Sequence, residues 1–405
     1  MTATTAPTGI AKYIPILSWL PSYQSDWLRL DLVAGLTAAA VVIPQAMAYA
    51  TIAGLPVEVG LYTALVPMVV YALLGTSRPL SVSATSTIAM LTAAVLVGVA
   101  PGGSREELLV ASATLAVLVG GLLVVASVLR LGVIANFISA PVLTGFKAGI
   151  GVVIFVGQLG KVLGISVPKG PFFQTIISLL EGLGDLHWPT LLLGLVTLAI
   201  LIFLPRLFPR LSAPLVAVVV GIAASGLLNL DGYGIKLAGE IPPGLPAFSL
   251  PHLSLVGALL PGALGIALMS FTESIAAARA FQAHGEPEPD ANQELLALGL
   301  ANIGGGLLQA MPSGGGTSQT AVNDGAGART QVAELVTAGI VVVTLLFLAP
   351  LISMLPQATL GALALVAAAG LIKVKEFRAI VQISQRELIW ALVASAGVVL
   401  LGTLE

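Results

Sequence analysis

The stretch Pro312-Ser313-Gly314-Gly315-Gly316-Thr317-Ser318-Gln319-Thr320 constrains this chain more than any other. It stands among apolar runs of bilayer length, yet three successive glycines and a row of hydroxyls cannot face lipid. Irregular backbone survives at membrane depth only where protein buries it or where it lines a cavity. An extended Gly-rich piece that turns into a short helix aims the unpaired N–H groups of the first turn at one point, and such a point favours an anion. A second stretch, Leu80-Ser81-Val82-Ser83-Ala84-Thr85-Ser86-Thr87-Ile88-Ala89, reads the same way, with 84–89 aligning on 316–321. Paired interrupted segments, one in each half of a chain, point to the binding site of a secondary transporter.

Composition agrees with embedding in a membrane: 57% of residues are hydrophobic, 9% are charged, and mean hydropathy is +1.03. Soluble domains do not reach such values. There is no cysteine, so disulfide and thiol chemistry are excluded. The net charge of −2 offers no basic face for nucleic acid. His187, His252 and His284 fall in expected loops, so neither a metal site nor a cofactor is expected. Catalysis would need a convergent nucleophile–base or metal set, no His or Cys lies in a span, and the chain is not read as an enzyme. Residues 1–30 are read as a cytoplasmic or interfacial segment, with Trp19, Tyr23 and Trp27 at headgroup level; the run from Lys12 to Pro21 is too short and Pro-broken for a signal peptide.

Apolar runs of about 20 residues, shorter where a helix is broken, mark the spans. The first half gives 31–53, 57–75, 84–99, 106–129, 140–162, 189–204 and 213–228; the second gives 255–280, 294–310, 316–323, 331–348, 358–372 and 387–404. With the N-terminus in the cytoplasm, twelve of the 17 Lys and Arg residues fall inside, four (Arg105, Lys161, Lys169, Lys236) fall outside, and Lys147 lies within the fifth span. That bias fits the orientation. Pro44–Ala50 in the first span lines up with Thr272–Ala278 in the eighth, as the third span does with the tenth. The repeat of seven spans is odd, so its halves run in opposite directions, the inverted-repeat plan. A fourteenth span is then expected, and the sequence stops at Glu405.

Glu273, near the middle of the eighth span, is the informative charge. Ionisable residues at that depth are costly and functional by default. Its mirror position holds the neutral Gln45. The helix starts contribute Ser83, Thr85, Ser86, Thr87, Gly316, Thr317, Ser318 and Gln319; the bland alternative is that the hydroxyls only cap and the glycines only pack. No fixed positive charge is evident at the site. Lys147 is read as snorkelling to the cytoplasmic interface, with a place on the anion's exit path as the alternative. Asp324, Arg329 and Glu334 are read as gate or interface pairs, and the acidic loop His284–Asp290 as solvated. An anion beside an ionised Glu273 meets like-charge repulsion in low dielectric. A proton on Glu273 removes that conflict, and a bound Na⁺ would serve the same purpose.

Gly35-Leu36-Thr37, Ile43-Pro44-Gln45-Ala46-Met47-Ala48-Tyr49-Ala50, Gly54-Leu55-Pro56 and Gly60-Leu61-Tyr62 resemble the signature of the sulfate permease family, also called solute carrier family 26. Ala135-Asn136-Phe137-Ile138-Ser139, Asn292-Gln293-Glu294-Leu295 and Gly325-Ala326-Gly327-Ala328-Arg329-Thr330-Gln331 extend the resemblance from Asp31 to the end of the sequence. The resemblance implies an all-α, seven-plus-seven inverted-repeat fold, with broken third and tenth helices preceded by short extended segments. It implies a core domain over 31–130 and 255–349, a gate domain over 131–230 and 356–405, a homodimer, and a cytoplasmic STAS domain beyond the end of this sequence. Carried over residue by residue, Gln45, Tyr49, Ser86, Glu273 and Ser318 fall on the family's central cavity. Two departures stand out: many members carry arginine where Gln319 stands, and Lys147 is unusual in the fifth span.

With no fixed arginine and one titratable carboxyl, the expected function is proton-coupled symport of a C4-dicarboxylate such as fumarate, in a bacterial plasma membrane. Sodium-coupled bicarbonate symport and proton-coupled sulfate symport are the alternatives. Nucleobase–cation symporters are similar in fold but would place a second acidic residue on the tenth span, where Gln319 is neutral. An anion channel is the remaining reading, and Glu273 and the paired repeats favour alternating access over it.

Overall fold

The structure is a computed structural model that describes residues 14–100, 102–136, 139–167, 172–209, 211–239, 241–282 and 288–400. The first part of the N-terminal segment with Lys12, the motif residues Phe137 and Ile138, Lys169, Arg210, residues 283–287 of the acidic loop, and the end of the thirteenth span lie outside the described residues.

A backbone that has no water to bond must satisfy itself, and helices dominate accordingly. In order these are α1 (Ile16–Trp19), α2 (Ser25–Ile52), α3 (Val57–Thr63), α4 (Val66–Leu74), β1 (Val82–Ser83), α5 (Ser86–Val99), α6 (Arg105–Val128), α7 (Ala140–Leu163), α8 (Phe172–Glu181), α9 (Trp188–Leu207) and α10 (Ala213–Leu228). The second half holds α11 (Val256–Ala280), α12 (Ala291–Leu307), β2 (Gly314–Gly315), α13 (Thr317–Gly325), α14 (Val332–Val343), α15 (Ala349–Ser353), α16 (Gln357–Leu371), α17 (Val374–Ile383) and α18 (Gln385–Leu400). Among the described residues, eight helical segments are long and apolar enough to cross a membrane, and α5 and α10 are shorter apolar helices. The protein is an all-α, multi-pass membrane protein.

Several expected spans differ in detail. The first begins at Ser25, six residues earlier than read; Tyr23 meets Trp19 in a tilted and Trp27 in an edge-to-face arrangement, with ring centroids 6.4 and 5.9 Å apart, and the Tyr23 hydroxyl donates to Asp31 at 3.1 Å. The second breaks into α3 and α4: Pro67, in the first turn of α4, has no N–H to continue the ladder. The eleventh carries a π-helical stretch, Thr344–Leu348, between α14 and α15. Two amphipathic helices, α8 and α17, lie between the expected spans. Phe173, Ile177 and Leu180 stand exposed on one face of α8, the spacing of a helix lying against lipid.

Pro44 sits inside α2 and cannot donate to the Ala40 carbonyl one turn earlier. The Ser212 hydroxyl, at the start of α10, donates to that carbonyl at 2.9 Å instead. Each proline inside a membrane helix needs such a replacement. The two ends of α2 are chemically distinct. At its C-terminal end Lys161 Nζ donates to the Thr51 carbonyl, and nearby Arg105 pairs with Glu58. At its N-terminal end Asp31 accepts from the Arg329 and Thr330 N–H groups and from the Thr330 hydroxyl.

Packing falls into two groups. Helices α4, α6, α11 and α12 pack on one another, as α2 does on α3 and α14; α7, α9, α16 and α18 pack chiefly among themselves. In the first group glycines set the spacing: a Cβ at Gly120 would stand 2.4 Å from the Gly299 carbonyl, so α6 and α12 touch backbone to backbone.

Candidate functional site

β1 and β2 pair antiparallel, Val82 opposite Gly315 and Ser83 opposite Gly314, and the Gly316 N–H donates to the Ser81 carbonyl at 3.0 Å. The pairing brings the N-termini of α5 and α13 together. Strand β2 could not sit here with ordinary side chains. Added Cβ atoms at Gly314 and Gly315 would lie 2.7 Å from Ile88 and 2.9 Å from the Ser274 Cα. Strand β2 therefore lies flat on α11. Ser270 and Ser274, one turn apart on one face of α11, hold it there: the Ser270 hydroxyl donates to the Ser313 carbonyl at 2.7 Å, and the Gly315 N–H donates to the Ser274 hydroxyl at 2.6 Å. Asn302 on α12 reads Ser313 from the other side, accepting from its N–H and donating to its carbonyl. None of these three positioning residues was singled out from the sequence, although the four-residue spacing of Ser270 and Ser274 was a readable signal.

Glu273 sits between those two serines and points into a cavity of about 650 Å³. Its carboxylate accepts from Thr85 at 3.2 Å and from Thr87 at 2.9 Å, and Lys147 Nζ lies 3.2 Å away. Thr85 also caps α5, accepting from the Ile88 N–H at 3.3 Å. Its hydroxyl thus joins the helix start to the carboxylate. Gln45, Tyr49, Thr85, Ser86, Thr87, Glu273, Gly316, Thr317, Ser318 and Gln319 all line this cavity. Tyr49 shares the cavity lining with Ser86 and Ser318, one from each half-helix. Ser83 does not line the cavity; it donates to Gln319 Oε1 at 2.6 Å, and Gln319 Nε2 donates to the Ala84 carbonyl at 3.1 Å. Ser83 thereby fixes the Gln319 side chain. The first-turn N–H groups of an α-helix have no helical acceptor, and the first residues of α5 and α13 line the cavity.

Two readings need correction. Lys147 does not snorkel: it turns inward onto Glu273, is only 23% exposed, and supplies the positive charge that the sequence seemed to lack. Glu334 is not an interface pair. It is fully buried, accepts from the Ser81 hydroxyl at 3.0 Å, and leaves Oε1 without a hydrogen-bond partner. The cavity mouth is formed by Thr144, Lys373 and Glu376; Lys373 pairs with Glu376 at 2.8 Å, and Thr144 donates to Glu376 at 3.1 Å. No group of three or more metal-binding side chains occurs among the described residues.

The profile of the sulfate permease family matches residues 28–394. A protein of Mycobacterium tuberculosis named "Probable sulfate transporter" is 42% identical over 97% of this chain and 70% of its own length. The chloroplastic sulfate transporter 4.1 of Arabidopsis thaliana is 35% identical over 95% of this chain and 58% of its own. Among solved structures, the murine Slc26a9 anion transporter in the inward-facing state superposes with a TM-score of 0.92 at 26% identity, covering 100% of this chain and 71% of that one. The transmembrane domain of the cyanobacterial bicarbonate transporter BicA superposes with a TM-score of 0.83 at 26% identity, covering 94% and 97%. A half-helix pair facing one carboxylate, the family profile and these relatives agree: the chain belongs to the sulfate permease family of membrane anion transporters.

Proposed function

We propose that this protein is a proton-coupled sulfate symporter working by alternating access, with Glu273 as the proton carrier. The observation that carries the reading is the position of Glu273, bonded to the threonines of one helix start inside the cavity that both helix starts face. A proton that lands there changes the electrostatics of the anion site directly, and one cavity holds both events. Family members are transporters, and the same reading makes this chain no enzyme. Sulfate is favoured over the fumarate first expected. That expectation rested on a missing fixed cation, and Lys147 is present. The mycobacterial and plant relatives are also named for sulfate.

In this reading Gln45, Tyr49, Ser86, Thr317, Ser318 and Gln319 bind the anion together with the first-turn N–H groups. The helices of the first packing group form the core domain, and those around α7, α9, α16 and α18 form the gate. The N-terminus is cytoplasmic, so the Lys373–Glu376 mouth opens inward; the membrane is a bacterial plasma membrane, and the protein works as a homodimer.

The test is uptake of radiolabelled sulfate, bicarbonate and fumarate into proteoliposomes under an inward proton or sodium gradient. Proton-stimulated sulfate uptake is the expected result. Sodium-driven bicarbonate uptake without proton stimulation would replace the coupling ion and the substrate, the second reading that the BicA likeness favours. Gradient-independent conduction of any of the three would make the protein a channel.

A further inference from the structure

We infer that Lys147 is the cation that receives the transported anion, and that the Glu273 carboxylate is its resident counter-ion while the carrier is empty. The inference deepens the symport reading above and rests on it for the direction of coupling. Lys147 belongs to α7, which packs on α9, α16 and α18; Glu273 belongs to α11, which packs on α5, α6 and α12. Their ion pair therefore reaches across the cavity from one packing group to the other. A lysine with a free choice at membrane depth extends towards water; this one turns inward.

Charge counting shows what the pair does. Two helix N-termini supply about one positive charge together. With Glu273 ionised, Lys147 is cancelled and the site carries about +1, enough for a monoanion. With a proton on Glu273, Lys147 is freed and the site carries about +2, the match for a dianion. Thr85 and Thr87, which now donate to the carboxylate, become available to an oxyanion in the same step. The exchange is balanced: one proton binds a Glu273 oxygen, the hydrogen bonds of Lys147, Thr85 and Thr87 pass from the carboxylate to the anion, and no other covalent bond changes. The remaining charged or titratable groups that face Glu273 do not substitute for Lys147. Tyr49 is a neutral phenol, Lys373 is paired with Glu376 at the mouth, and Arg279, further along α11, is paired with Glu288 at 3.3 Å. Helices α5 and α13 bring only hydroxyls and Gln319 to the cavity.

The test is anion-dependent thermal stabilisation and uptake, measured with sulfate and nitrate at mildly acidic and mildly alkaline pH. Wild type and Lys147→Arg should bind sulfate more tightly in acid, and nitrate, with half the charge, should show a clearly smaller pH dependence. Lys147→Met should lose apparent sulfate affinity by at least about 30-fold, the usual cost of stripping one partner from a buried charge pair. Lys147→Met/Glu273→Gln removes both charges and leaves none stranded, so it should fold even if the single variant does not. It too should fail to bind sulfate. Sulfate binding within about threefold of wild type in either Lys147→Met variant overturns the inference, since a lost charge partner must cost more than that. Wild-type protein that binds sulfate through Lys147 without proton-stimulated uptake would sink the symport reading and leave this one standing; absence of sulfate binding in wild type would sink both.

Discussion

The two half-helix starts are mirror positions in the sequence, yet they do different work. The α5 start is capped by a threonine hydroxyl, and that hydroxyl also bonds a carboxylate from the neighbouring helix. The α13 start is capped by a glycine with no side-chain bond at all. The same divergence appears one span earlier in each half, where Gln45 mirrors Glu273. One half carries the titratable chemistry beside its partner's helix start, and the other offers bare backbone and a clamped amide. On the proposed function, this difference concentrates charge regulation around Glu273 and leaves anion recognition to both helix starts.

The strongest way to break this asymmetry is Glu273→Gln, which makes the two halves alike. Proton-driven net sulfate uptake should fall to background while sulfate–sulfate exchange persists, as measured with labelled sulfate inside and outside the vesicles. Next in size is Gly315→Ala, which presses a methyl group against the α11 backbone. Overpacking of this kind costs about 1–3 kcal/mol, and a lowered Tm with weakened sulfate binding is expected; an unchanged Tm would mean that β2 can lift off α11. Gln319→Ala removes the clamp on the glycine-capped side and strands the Ser83 hydroxyl, at a cost of about 1–2 kcal/mol. The KM for sulfate should rise several-fold while the proton dependence stays intact, which separates recognition from coupling. The smallest effect is expected from Ser212→Ala, which leaves the Ala40 carbonyl beside Pro44 unpaired. About 1 kcal/mol of stability should be lost, readable as a small fall in Tm with substrate specificity unchanged.

Much of this was legible because membrane physics restricts the choices. Apolar runs anticipated most of the long helices to within a few residues, the first excepted, and glycine with hydroxyls at membrane depth marked both helix starts. A lone carboxylate in a span marked Glu273. The pairing of β1 with β2 was hidden, because two-residue strands carry no periodicity and their partners lie in opposite halves of the chain. Lys147 was misread because its depth along α7 says nothing about which way a flexible side chain turns. Only the placement of α7 across the cavity from α11 reveals its partner. Glu334 was read with Asp324 and Arg329 as a gate or interface pair from its place near the cytoplasmic end of the span, whereas its carboxylate accepts from the Ser81 hydroxyl just before β1. The amphipathic helices α8 and α17, 10 residues each, fall short of a bilayer-length run and so leave no span signal.

The most direct test of the account is proton movement driven by sulfate alone. Proteoliposomes loaded with a pH-sensitive dye are given an inward sulfate gradient with membrane potential clamped. Wild type should acidify the lumen in step with sulfate entry, and Glu273→Gln should exchange sulfate without acidification. Equal acidification by the two proteins would contradict the assignment of the proton to Glu273.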